Sequence, residues 1–202
     1  MDEYKALSRR ERNKHETRVR LITAARTLFA ERGVGGTTID DIAETADVSR
    51  ATFFNYFQSK DSVLAALHAS HMTALSGVID RILDQDLTTA ERIRLVFDDV
   101  VQATYRFPGY LRAVTGELER DLASPEVSVE RTERFNDEIL RILEPGLHRG
   151  EVRTDYPLRF LAQMVAAVYV SVIRYWRQDP DYELEVGFGN AARFVAEALA
   201  PR

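Results

Sequence analysis

The stretch from residue 37 to residue 64 constrains this chain most, because it contains two short amphipathic segments joined by a tight polar turn. Thr38 and Asp41 form a Thr-x-x-Asp pair that predicts a capped helix start, and apolar residues follow at helical spacing. Asp47 stands where this helix must end, since Asp tolerates the left-handed conformation better than most residues. Ser49 can cap the next helix. Two short helices joined by such a turn make a helix-turn-helix, whose second helix can enter a major groove.

Three segments carry a family resemblance, because their residues and spacing match one pattern, and they are LITAARTLFAERG (21–33), TTIDDIAETADVS (37–49) and ATFFNYFQSKDSVL (51–64). Together they closely resemble the DNA-binding domain of the TetR family of transcriptional regulators. The family pattern usually has Gly where Asp47 stands, and often has Tyr and His where Phe54 and Asn55 stand. The resemblance implies an all-helical, homodimeric DNA-binding protein, which is most often a repressor relieved by a small molecule.

The charge distribution agrees with nucleic-acid binding at one end of the chain only. The 202 residues carry a net charge of −5. Residues 1–60 contain 11 Lys and Arg against 9 Asp and Glu, whereas residues 61–202 contain 16 against 23. A positive region can meet phosphate while the acidic remainder stays away from it. We therefore predict a basic arm at 1–14, a DNA-binding domain at 15–75 with its helix-turn-helix motif at 38–57, and a ligand-binding and dimerisation domain at 76–202.

The basic arm has two interpretations that the sequence leaves open. Its positive residues are clustered, and they are Arg9, Arg10, Arg12 and Lys14. The arm is either a solvated, disordered tail or a segment that contacts phosphates or the minor groove. The helical period is predicted to begin only at residue 16 and to end at residue 32, with Gly33 as its C-cap.

The remaining sequence predicts helices and no convincing strand. A long helix is expected over 59–83, another begins near Pro125, and the last two cover 157–178 and 184–199. Others carry Ile93 to Tyr105 and Leu111 to Leu122. The fold class is therefore all-α, with about nine helices divided between an N-terminal three-helix domain and a C-terminal helical domain.

The last two predicted helices are apolar nearly all round, although one buried face needs only a stripe. This surplus favours a symmetric dimer interface, and the alternative is a fully enclosed core helix. TetR-like proteins typically dimerise through their last two helices, so the resemblance agrees. The predicted interface residues are Leu161, Val165, Val168, Val172, Phe188, Ala191 and Val195.

Arg50 is the best candidate for a base contact, because it begins the second helix of the motif and an arginine fork matches guanine O6 and N7. It could instead contact phosphate or remain solvated. Ala51 could approach a thymine methyl group, and Asn55 could bind adenine or phosphate. Other positions resemble the family's phosphate-contacting residues, which fix register without reading sequence. The predicted DNA-binding residues are Thr37, Thr38, Ser49, Arg50, Ala51, Thr52, Asn55, Tyr56 and Lys60.

An effector pocket in the C-terminal domain is implied by the resemblance, in which the larger domain encloses a small ligand. The candidate lining residues are Phe97, Tyr105, Phe107, Tyr110, Met164 and Tyr169. Their character suits an apolar ligand with a few polar groups. Aromatic residues at helical spacing are, however, more often plain core.

Other chemistry finds little support in the sequence. The chain has no cysteine, and His68 and His71 lack the context of a metal motif, so we expect no metal and no cofactor. The sequence contains no nucleophile elbow, so it gives no support for an enzyme. No apolar run reaches the length of a membrane span, so the protein is expected to be cytoplasmic and without a membrane partner. The partners expected are an inverted-repeat DNA operator, a second copy of the chain and an unidentified effector. The alternatives are a ligand-binding helical dimer without a primary DNA-binding role and an activator of the same fold.

Overall fold

The computed structural model describes residues 8–106 and 125–202. These residues form eight α-helices, which are α1 (Arg9–Arg32), α2 (Ile39–Thr45), α3 (Arg50–Phe54), α4 (Lys60–Leu83), α5 (Thr89–Arg106), α6 (Pro125–His148), α7 (Leu158–Gln178) and α8 (Leu184–Leu199). The all-α prediction is confirmed. The further helix predicted around Leu111 to Leu122 lies outside the described residues.

The chain divides into two compact units, and the division falls after His71 within α4. In the first unit, α1 packs on α2 and α2 on α3. Its core consists of fully buried apolar side chains, among them Leu21, Phe29, Ile42, Phe53 and Leu67. These residues recur at helical spacing in the sequence, which is why the segments fold as amphipathic helices around one small core.

Helix α1 begins seven residues before the predicted start at residue 16, because Ser8 caps it. The Ser8 hydroxyl accepts a hydrogen bond from the Glu11 amide at 3.3 Å, and the Glu11 carboxylate accepts one from the Ser8 amide at 2.8 Å. This capping box satisfies two amide groups that a bare helix start leaves unpaired. The positive residues from Arg9 to Lys14 therefore belong to a helix.

In the second unit, α5 packs against α6 and α8, while α7 packs against α6 and α8. The core contains Phe97, Ile139, Ile142, Leu143 and Phe188, all nearly or fully buried. Burial of this much apolar surface is the main stabilising term for such a bundle.

A segment after α6 fastens this bundle through Glu151. One carboxylate oxygen of Glu151 accepts hydrogen bonds from the Thr89 amide at 2.7 Å and the Thr89 hydroxyl at 2.8 Å. The other accepts from Arg149 Nε at 2.7 Å. The Arg149 guanidinium, followed by the Thr89 donors, lowers the pKa of Glu151 to about 2. Thr89 can lie this close to the end of α6 because residue 146 is glycine, since a Cβ there would lie 1.8 Å from the Thr89 hydroxyl.

The predicted dimer-interface residues are placed largely in this core, which corrects their assignment. Six of the seven are buried within a single chain, and they are Leu161, Val165, Val172, Phe188, Ala191 and Val195. Only Val168 is half-buried. The opposite faces of α7 and α8 expose other large apolar side chains, which are Phe160, Met164, Val170, Tyr175, Val186 and Phe194. Periodicity detected the apolar surplus, but it could not tell which face the core would take.

Two helices, α4 and α7, are long and apolar enough to cross a membrane by length and composition. Neither segment is an uninterrupted apolar run, because charged residues such as Asp80 and Arg174 interrupt them. Each helix buries one face in the protein, with Leu67 and Val165 as examples. Core helices of ordinary globular proteins pass the same test, so the two segments are weak evidence for a membrane span.

Candidate nucleic-acid interface

The turn between α2 and α3 has the geometry of a helix-turn-helix. Thr38 caps α2 by the predicted box, accepting from the Asp41 amide at 3.1 Å while Asp41 accepts from the Thr38 amide at 2.8 Å. Asp47 adopts a positive φ of 53°, which confirms its predicted left-handed conformation. Ser49 caps α3 by accepting from the Thr52 amide at 3.1 Å. All three local predictions are confirmed.

Helix α3 is anchored in the core by one aromatic residue, and residues at both of its ends are exposed. The Phe53 ring is fully buried and contacts Phe57 with ring centroids 5.9 Å apart. Arg18 of α1 lies over the outer face of Phe57 at 4.8 Å. Arg50 and Ala51, at the start of α3, are exposed, as is Asn55 at its end. An anchored helix with an exposed polar face is the arrangement that enters a major groove.

Arg50 is already engaged on one side by an acidic residue of α2. Its Nη1 atom donates to Asp40 Oδ2 at 2.5 Å, and both side chains are more than half exposed. The guanidinium carbon also lies 5.5 Å from the centre of the Phe54 ring, within the range of a cation–π contact. Phe54 is in turn held by an edge-on contact with Phe53 at 5.5 Å. The base-reading candidate therefore has two neighbours that restrict its orientation.

The predicted phosphate-contacting hydroxyl groups are mostly occupied within the chain. Thr37 is buried, and its hydroxyl donates to the Gly33 carbonyl at 2.9 Å. The Thr38 hydroxyl donates to Asp41 at 2.6 Å. Ser49 and Thr52 share a hydrogen bond of 2.9 Å between their hydroxyl groups, while Tyr56 is half-buried. These residues would therefore have to contact DNA through remaining lone pairs or backbone amides.

Lys60 has a structural role that sequence reasoning missed. Its ammonium donates to the carbonyl groups of Val34 and Thr37, each at 2.8 Å. These contacts tie the start of α4 to the connection between α1 and α2. An ammonium has three protons, so one donor remains for a phosphate. No local pattern signals these bonds, because Lys60 is 23 and 26 residues from its acceptors.

Two of the predicted pocket residues belong to one aromatic cluster of the second unit. Phe97 and Tyr169 lie together, with ring centroids 5.9 Å apart, and both contact Phe188. Phe135 completes this aromatic cluster through Tyr169 at 4.9 Å. Burial raises the pKa of the Tyr169 hydroxyl, so it stays protonated at neutral pH.

The remaining pocket candidates are exposed or lie in a part of the chain that is not described. Tyr105 is 59% exposed and Met164 is 45% exposed. Phe107 and Tyr110 lie outside the described residues. Within residues 8–106 and 125–202, no group of three or more His, Asp or Glu side chains is arranged to hold a metal ion.

Comparison with known proteins identifies the same region. The family model described as "Bacterial regulatory proteins, tetR family" matches residues 21–67, which include α2, the turn and α3. The HTH-type transcriptional repressor KstR2 of Rhodococcus jostii is 23% identical over 185 residues, or 91% of each protein. The nucleoid occlusion factor SlmA of Vibrio atlanticus is 31% identical over 164 residues, covering 79% of this chain and 83% of that protein.

The similarity extends to solved structures across both units. The crystal structure of Thermus thermophilus FadR, a TetR family transcriptional repressor in complex with lauroyl-CoA, matches with a TM-score of 0.71 and 28% identity. The match covers 92% of this chain and 96% of that one. The likeness is therefore not confined to the helix-turn-helix.

Proposed function

Because the chain belongs to the tetR family of bacterial regulatory proteins and is a DNA-binding regulator of transcription, we propose that it binds an inverted-repeat operator as a homodimer and is released by a small-molecule effector. The exposed face of α3 carries this proposal. Arg50, Ala51 and Asn55 stand on a helix that Phe53 fixes in the core.

In the proposed complex, Arg50 and Asn55 bind base edges, while other groups contact the phosphates of the DNA backbone. An arginine fork pairs with guanine, and an asparagine amide pairs with adenine. The remaining proton of Lys60 and the positive residues along α1 suit phosphate contacts, which position the protein without distinguishing sequences. Arg9, Arg10 and Lys14 are exposed on that helix.

The proposed dimer uses the exposed faces of α7 and α8. Phe160, Met164 and Tyr175 are exposed along α7, while Val186 and Phe194 are exposed on α8. Burying such a face against its own copy removes apolar surface from water, and a two-fold interface makes the patch self-complementary. Two identical reading heads then require an inverted repeat.

The proposed effector is a molecule with an apolar part that binds the second unit. FadR of Thermus thermophilus, at 28% identity, was crystallised with lauroyl-CoA, which makes that compound the first to test. The cluster of Phe97, Phe135, Tyr169 and Phe188 is the candidate apolar wall. For useful control, the effector must disfavour the DNA-binding state by about 1–3 kcal/mol.

The DNA-binding proposal is tested by selecting duplexes from a random-sequence pool with the wild-type protein. Arg50→Ala is expected to weaken binding to the selected duplex by about 1–3 kcal/mol and to relax preference at one base position. Arg94→Ala is the matched control, because Arg94 is an exposed arginine in a similar ion pair with Asp98, but in the second unit. Equal losses for Arg50→Ala on selected and scrambled DNA would remove it from base reading.

The effector proposal is tested by titrating lauroyl-CoA into the protein with and without saturating selected duplex. Linkage requires the two ligands to weaken each other by the same factor. A single dissociation constant in both titrations would show that the two sites are uncoupled for this compound.

The regulatory role is tested by mapping binding sites across the genome and measuring transcripts after deletion of the gene. Sites overlapping promoters whose transcripts rise would support a repressor, whereas falling transcripts would support an activator. Binding sites that do not overlap promoters would favour a role in nucleoid occlusion, the role named for SlmA. The 31% identity to SlmA is the reason to distinguish this role from transcriptional regulation.

A further inference from the structure

Asp40 takes no part in the capping box of α2, and its only part in building that helix is the favourable interaction of a first-turn acid with the helix dipole. The start of α2 is capped by Thr38 and Asp41, and the Asp41 carboxylate also lies 3.7 Å from Arg32. Asp40 contributes nothing to that cap and points its carboxylate at Arg50 of the next helix. An exposed ion pair of this kind adds little to stability, since two flexible side chains must be ordered in water. The pair therefore needs another explanation.

The geometry of the pair leaves Arg50 able to bind a base. A guanidinium carries five N–H donors, and the contact joins one nitrogen, Nη1, to one oxygen of Asp40. Other donors remain for guanine O6 and N7. Phe54 lies beside the same guanidinium, and its ring is fixed by Phe53. Asp40 and Phe54 already restrict the Arg50 side chain in the free protein. Arg50 therefore loses less conformational freedom when it binds a base.

The charge of Asp40 has a second consequence. A carboxylate beside the reading face repels phosphates of any duplex, whatever its sequence. The same carboxylate also neutralises an arginine that could otherwise settle on a phosphate. The repulsion lowers affinity for every duplex alike, so the discrimination comes from the neutralised Arg50, which gains less from a phosphate in a wrong sequence than from its base in the right one.

We propose that Asp40 is a specificity-determining residue that positions Arg50 for one base and penalises binding to all other DNA. This inference rests on the proposed operator binding. It assigns to an acidic residue of α2 a part in reading sequence through another side chain, without a base contact of its own.

The test compares affinities for the duplex selected by the wild-type protein and for a scrambled duplex of the same composition. Asp40→Ala is expected to lower the ratio of the two affinities about tenfold, at the same base position that Arg50→Ala relaxes. On scrambled DNA it should bind more tightly and steepen the salt dependence by about one unit, because Arg50 is released to contact phosphate. Asp40→Asn keeps a hydrogen-bond acceptor, so its affinity ratio should fall between those of the wild-type protein and Asp40→Ala.

Glu44→Gln is the matched control, since Glu44 is another exposed acid of α2 and its removal changes the charge equally. It should raise both affinities by similar factors and leave their ratio unchanged. If Asp40→Ala behaves in the same way, Asp40 acts only through its charge and the positioning role is wrong.

A double-mutant cycle separates positioning from an independent effect. In an Arg50→Ala background, Asp40→Ala should no longer change the affinity ratio. A further fall of similar size in that background would overturn the proposal, as would relaxation at a different base position. If the wild-type protein selects no duplex at all, the proposed operator binding fails first and this inference falls with it.

Discussion

The helix starts of the first unit and the polar bonds that fasten the second unit join residues over very different distances along the sequence. In the first unit, the helices begin with caps that join residues three positions apart, at Ser8, Thr38 and Ser49. In the second, Glu151 bonds to Thr89 across 62 positions, and Arg141 pairs with Asp80 across 61. Because these caps act within three residues, the exposed charged side chains of the first unit are not needed to start its helices. Long-range bonds instead commit the polar groups of the second unit to its architecture.

The largest expected effect tests which face of α7 belongs to the core. Val165→Asp places a charge in the buried core of the second unit and should cost several kcal/mol, enough to unfold that unit. Phe194→Asp places the same charge on an exposed residue of α8, so it should lower the thermal midpoint far less. Circular dichroism measures both melting transitions.

Sedimentation completes this experiment, because Phe194→Asp should weaken self-association and therefore operator affinity. A folded Val165→Asp protein that has merely lost its dimer would restore the original interface assignment and contradict the core placement. An unchanged dimer in Phe194→Asp would move the proposed interface away from this face of α8.

A smaller effect is expected from the long-range bond in the second unit. Glu151→Gln replaces a charged acceptor of the Thr89 and Arg149 donors and should lower the free energy of unfolding by about 1–3 kcal/mol. Denaturant titration measures the loss. Glu144→Gln, at an exposed position of α6, is the control and should change stability little.

The Glu151 contribution should also depend on pH in a defined direction. Its pKa is lowered in the folded protein from 4.5 to about 2, so its stabilisation is present above the unfolded value and lost as pH falls through the folded one. The stability difference between wild type and Glu151→Gln should therefore shrink between these two values. A difference that stays constant throughout this window would contradict the charged hydrogen-bond network.

The first unit offers a comparable test at Lys60. Lys60→Met keeps much of the apolar stem but leaves the Val34 and Thr37 carbonyl groups without their ammonium donor, which should cost about 1–2 kcal/mol. The salt dependence of DNA binding should also flatten by about one unit if the remaining proton contacts phosphate. A flatter salt dependence with unchanged stability would mean that the carbonyl contacts contribute little.

The smallest effect is expected at the helical extension of α1. Lys14→Gln should reduce the salt dependence of binding by about one unit and weaken selected and scrambled duplexes alike. Arg94→Gln in α5 is the control and should change neither. If Lys14→Gln altered the preferred sequence instead, α1 would contact base edges and the phosphate role would be wrong.

By itself, the sequence determined the features that act over one helical turn. The Thr38 box, the Ser49 cap and the left-handed Asp47 could all be predicted, because each depends on residues within three or four positions. Helical periodicity predicted the all-α class for the same reason. The first two turns of α1 were missed, although Ser8 and Glu11 carry the same local signal.

Tertiary structure decided which apolar face of α7 and α8 is buried and which polar groups are occupied. Both faces of α7 contain apolar residues, so its sequence alone could not separate Val165 in the core from Met164 on the surface. The partners of Lys60 and Glu151, and the pairing of Asp40 with Arg50, likewise join segments ten or more residues apart. Local propensity acts along the chain, whereas burial and hydrogen bonding depend on whatever the fold brings near.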